Sequence, residues 1–150
     1  MRGFTFRLAT LLRLREAARD ERRSELAEAY RIDDLLERQA DGLAEEMGRL
    51  RVQCRMAAGP GPVDVDRLVE AHRYELALRA HEQRVARQRE AVAGEIGRRQ
   101  QALVEANREV RVLEKLRDRQ ARRYRTEQDR REIKQLDEVA VQRAAREVAP

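Results

Sequence analysis

The chain has no tryptophan, one cysteine, one serine, one asparagine and three prolines in 150 residues, and aromatic side chains make up 3% of it. Each shortage excludes something. The five aromatics are Phe4, Phe6, Tyr30, Tyr74 and Tyr124, and a compact globular core draws on more large rings than that. Cys54 alone cannot form an internal disulfide, which fits a reducing compartment. No apolar run approaches the ~18–20 residues that span a bilayer. The N-terminal stretch Met1-Arg2-Gly3-Phe4-Thr5-Phe6-Arg7 runs into charged residues by Arg13, without a signal-peptide apolar block and small-residue cleavage site. Disordered chains are enriched in Pro, Ser and Gly among other residues, and this one has only three Pro, one Ser and seven Gly.

What is abundant is Arg, Glu, Ala and Leu. Charged residues make up 41% of the chain, 33 basic against 28 acidic, for a net charge of +5. That composition with helical periodicity marks a coiled coil or long helix. The one strong interruption is Gly59-Pro60-Gly61-Pro62. Glycine closes a helix and proline cannot continue one. Asp64 or Asp66 behind it can cap a new helix. The expectation is a helix over about 5–57, a turn over 58–63 and a helix over about 64–147. At ~1.5 Å per residue the helices would be roughly 80 Å and 125 Å long.

The spacing of apolar residues is that of a coiled coil. Leu36, Ala40, Leu43, Met47, Leu50 and Cys54 follow alternating steps of four and three, a heptad a/d stripe. Val85, Val92, Ile96, Leu103, Ala106, Val110 and Leu113 follow the same repeat, interrupted by Arg89 and Arg99. Beyond Leu113 the repeat falls on Arg117, Gln120, Tyr124 and Glu127. A narrow stripe buries one helix against another and little more, and a short turn makes the two antiparallel neighbours. Pivoting near residue 60, paired residue numbers should sum to roughly 120, give or take a turn. That places Leu43 by Leu78, Leu36 by Val85, Leu26 by Ile96 and Leu8 by Leu113. The fold class expected is all-α: an antiparallel two-helix coiled-coil hairpin, a single domain over 1–150. A C-terminal helical overhang from about residue 117 would have no intramolecular partner.

Charge is uneven along the chain. Residues 1–23 and 115–150 each carry +4, and residues 24–114 carry −3. A hairpin brings both basic segments to one end, which suits an acidic partner. Chemistry is absent: His72 and His81 lie ~180° apart around a helix at about 100° per residue, so they share no metal and are read as solvated. Cys54 lies on the seam without a histidine to activate it. The Gly-Pro turn lacks the amides and the Lys-Ser/Thr of a phosphate loop. Nucleic acid is not the expected partner, because the basic stretch Arg117–Lys134 is interleaved with acids and has no stacking array.

Three stretches are more specific than composition. They are Phe6-Arg7-Leu8-x-x-Leu11-Leu12-Arg13-Leu14-Arg15-Glu16, Leu113-Glu114-Lys115-Leu116-Arg117, and Lys134-Gln135-Leu136-Asp137-Glu138-Val139-Ala140. With the mid-chain turn and Tyr74-x-x-x-Leu78, they make the whole chain resemble the FliJ family of the flagellar type III export apparatus. The resemblance implies a non-enzymatic, cofactor-free stalk, cytoplasmic and peripheral at the inner membrane. Its terminal end would enter the hexameric export ATPase, promoting ring assembly and ATP hydrolysis. It would also meet the export gate membrane protein and export chaperones. By match, Leu8, Leu11, Leu12, Leu113 and Leu116 would be seam or ring-facing. Arg117, Arg122, Arg123, Arg130, Arg131, Leu136, Asp137 and Glu138 would meet the ATPase, and Tyr74 and Leu78 the gate, though Leu78 equally fits the seam. The stalk protein of injectisome-type secretion systems shares this pattern. A generic coiled-coil spacer shares the composition but requires neither the overhang nor the Leu-Asp-Glu block.

Overall fold

The structure, a computed structural model, describes residues 3–148. The chain forms a helical hairpin of two long helices, α1 (Ala9–Ala57) and α2 (Val65–Val148). α1 begins four residues later than its sequence pattern suggests. Its first turn holds no acidic residue, so nothing offsets the positive end of the helix dipole. Arg7 and Leu8 form a turn instead, in which the Ala9 amide donates to the Phe6 carbonyl at 3.1 Å. Ahead of it, half-buried Phe4 and Phe6 alternate with exposed Gly3, Thr5 and Arg7. A period of two is that of an extended segment laying one face on a neighbour.

The turn works largely as its residues dictate. The amides of Ala58 and Gly59 close the end of α1 on the carbonyls of Cys54 and Met56, at 3.1 and 3.2 Å. Gly61, rather than Gly59, supplies the positive φ, at +156°, a conformation L side chains rarely adopt. Each glycine precedes a proline, which bars the α region there. Asp64 is the residue that caps α2: its Oδ1 accepts from the Arg67 amide at 3.2 Å, while Asp66 sits in the first turn.

Internal contacts divide the hairpin into two units, Glu21–Leu103 and Met1–Asp20 with Val104–Pro150. The first unit holds the main core. Leu43, Met47, Leu50, Leu78 and Val85 are buried together, with Leu36, Ala40, Cys54 and Ala71 packed against them. This is the expected heptad stripe meeting its counterpart. The arginines that interrupt the stripe remain on the seam, half exposed and partnered. Arg89 lies 3.6 Å from both Asp33 and Glu37, and Arg99 donates to the Glu25 carbonyl. Numbers of cross-helix partners add to between 120, for Tyr74 with Glu46, and 130, for Gln100 with Tyr30. The expected register, to within a turn, is met by Tyr74 with Glu46, Arg89 with Asp33 and Arg99 with Glu25, and is exceeded by a few residues at Gln100 with Tyr30.

The second unit is thinner. Leu12 and Val110 are its buried hydrophobics, and Arg15 pairs with Glu109 at 2.8 Å. Two expectations need correction here. The stripe past Leu116 runs through half-buried Ala121, Tyr124 and Gln128, while Arg117, Gln120 and Glu127 are exposed. A helix of 3.6 residues per turn drifts ~20° per heptad against a strict 3.5 repeat. The overhang also starts later than residue 117. The extended N-terminal segment lies on α2, with the Phe4 and Tyr124 ring centroids 5.9 Å apart. Every described side chain from Asp129 to Arg146 is exposed.

Candidate functional site

The unit containing both chain ends collects positive charge. Its residues, 1–20 and 104–150, carry 18 basic and 12 acidic groups, whereas 21–103 carry 15 and 16. The excess is shared evenly, +3 on residues 1–20 and +3 on residues 104–150. Arg119, Arg122, Arg123 and Arg130 line a shallow cleft with Thr126 and Glu127. Arg117 spends its guanidinium on Asp118 at 3.4 Å, and Arg122 reaches the Asp118 carbonyl at 3.4 Å. Arg119, Arg125, Arg130 and Arg131 have no carboxylate within ion-pairing distance among the described residues. Exposed cations without partners are inexpensive to commit to an acidic surface, because no internal pair must be broken.

The apolar residues expected at this end separate into two roles. Leu12 is 6% exposed and is seam. Leu113 and Leu116 are half-buried, and Leu8 and Leu11 are exposed. Leu136 is 69% exposed, with Asp137 and Glu138 exposed next to it. Ile133, Leu136 and Ala140 share one stripe of α2, turned about 120° from the Ala121–Tyr124–Gln128 stripe at 100° per residue. The helix therefore changes its apolar face where the N-terminal segment stops covering it.

The Tyr74/Leu78 pair is not jointly exposed. Leu78 is in the core cluster, and Tyr74 is 45% exposed. The Tyr74 hydroxyl donates to the Glu46 carboxylate across the seam. That bond, with the charge of Glu46 behind it, raises the phenol above its ordinary pKa. His72 is exposed, 3.9 Å from Glu75. His81 is half-buried rather than solvated, because it falls close to the seam between Leu78 and Val85. Among the described residues no cluster of His, Cys, Asp and Glu could hold a metal ion, and no helix is long and apolar enough to cross a membrane.

Phe4 and Arg119 belong to this surface without having been singled out from sequence. The alternation of Phe4 and Phe6 with polar neighbours is the local signal for an extended segment, but it is only two residues deep. A comparison with protein families matches residues 4–149 to that of the flagellar FliJ protein. No curated protein and no solved structure matches the chain.

Proposed function

The chain belongs to the FliJ family of flagellar proteins, and from that premise we propose that this export component is the non-enzymatic stalk of the flagellar export ATPase. The terminal end enters the hexameric ring, promotes its assembly and stimulates ATP hydrolysis. The same protein links the ring to the export gate at the cytoplasmic face of the inner membrane and meets export chaperones. The observation that carries the reading is the stretch Asp129–Arg146, a helix with every described side chain exposed. Isolated helix is marginal in water, so such an extension earns its place by being covered in a complex. The cations Arg119, Arg125, Arg130 and Arg131, which have no carboxylate partner among the described residues, precede and enter it and give an acidic pore wall something to recognise. At the gate, Tyr74 offers the accessible side chain, while Leu78 supports it from the seam.

A protein without chemistry of its own changes an ATPase only by binding its states unequally. Reversing Arg122, Arg123 and Arg130 to Glu should abolish stimulation of the cognate hexameric export ATPase, with helicity unchanged by circular dichroism. Wild-type stimulation should weaken as salt rises, since exposed charge is screened over ~8–10 Å. Undiminished stimulation by the reversed protein would reduce the basic surface to solvated helix.

A further inference from the structure

The Ala121–Tyr124–Gln128 face of α2 is the last part of the seam side to be covered, and a short extended segment covers it. Helix α1 begins only at Ala9. Ahead of it Phe4 and Phe6 point one way, and the Phe4 ring meets Tyr124 at a tilt of 48°. Around this contact is an open cleft between the N-terminal segment and α2, lined on the α2 side by Tyr124, Arg123 and Arg131 together with Glu127. The attachment is slight. Phe4 and Phe6 remain half exposed, and the segment has no helix or sheet hydrogen bonds to offset the cost of ordering it. Such a cover opens at little cost.

We propose that residues 3–6 form a displaceable strap that guards this face of α2 and gives way to a partner side chain. The occupant is an apolar side chain flanked by carboxylates: Tyr124 supplies the apolar floor, and Arg123 and Arg131, which outnumber Glu127, supply the cations beside it. In the stalk reading, on which this inference rests, that segment belongs to the export ATPase. While the strap is closed only a fraction of molecules is competent to bind, and the apparent dissociation constant rises by the inverse of that fraction. The strap is therefore a brake on association rather than part of the contact. The second apolar stripe, Ile133–Leu136–Ala140, lies on another face and stays accessible in both states.

The test bridges the strap without disturbing the ring pair. Thr5 and Gln120 line the same cleft, so a Thr5→Cys, Gln120→Cys chain with Cys54→Ala can be closed by a short bis-maleimide. The control is the same protein capped at both thiols with N-ethylmaleimide. Affinity for the hexameric export ATPase is measured for both, and for Phe4→Ala. The bridged form should bind at least about 10-fold more weakly than the capped form, and Phe4→Ala about 3- to 10-fold more tightly than wild type. Equal binding by bridged and capped forms would overturn the strap and leave the stalk reading standing. Weaker binding by Phe4→Ala would overturn it too, making Phe4 a contact residue. Absence of binding by wild type as well would overturn the stalk reading and the strap together.

Discussion

Tyr74 shows how much a single exposed residue can report. Its hydroxyl donates to Glu46, so the neutral phenol is favoured and its pKa lies above 10.0. A raised pKa contributes stability that is fully present below the unfolded value and is lost as pH rises through the folded one. Tyrosinate absorbance should therefore show a component ionising later than an ordinary phenol. Glu46→Gln, which removes the carboxylate acceptor and its charge, should move that component back toward the ordinary value. A single unshifted titration in wild type would count against the cross-seam bond. Glu95 is the opposite case: hydrogen bonds from Arg98 and Arg99 hold its carboxyl below the usual range. Its contribution is present at neutral pH and lost as pH falls through that lowered value. The helical glycines carry a different signal. A methyl group added at Gly42, Gly48, Gly94 or Gly97 meets nothing within 4 Å. Each change to Ala should stabilise by roughly 1 kcal/mol, read as a rise in thermal midpoint. Gly61→Ala should lower it, because of its φ of +156°.

Within an element, stability follows burial. The stretch of α2 around Leu78 and Val85 faces the main core, while the stretch from Asp129 to Arg146 faces solvent. Local opening costs least where packing is thinnest. Amides after about residue 129 should exchange fastest, those around Val85 slowest, and those near 121–128 in between because the N-terminal segment lies on them. Leu43→Ala should cost about 2–4 kcal/mol in denaturant unfolding. Leu136→Ala, at 69% exposed, should stay within about 0.5 kcal/mol. Uniformly slow exchange along α2 would mean that a further partner covers it. α1 shows where pattern reading stops. Its heptad from Leu36 to Cys54 is realised, yet the helix begins at Ala9, four residues later than the pattern suggests. Periodicity identifies a face but does not supply a cap.

For the whole molecule, the consequential quantities are where charge collects and how little is buried. Eight hydrophobic residues are buried among those described, and six of them lie in the Glu21–Leu103 unit. The other unit has the net positive charge and only two buried hydrophobics, Leu12 and Val110. Polar cross-helix pairs such as Arg15–Glu109 and Arg89–Asp33 are partly exposed and are individually weak. Raising salt should therefore weaken association at the basic surface more than it changes the thermal midpoint of the free protein. A loss of fold at moderate salt would contradict that division.

The sequence by itself determined the helices, the turn, the antiparallel pairing and the family. These follow from local rules, since heptad spacing, Gly-Pro punctuation and an Asp cap act over a few residues. It also put Leu43 on the seam, while leaving Leu12 between seam and ring and Leu78 between seam and gate. Only the tertiary structure decided that Asp33 and Glu37 flank Arg89, that Phe4 reaches Tyr124, and that the bare stretch of α2 begins at Asp129. Each of these joins residues far apart in the chain, and a repeat that drifts against the true helical period loses its phase before it reaches them.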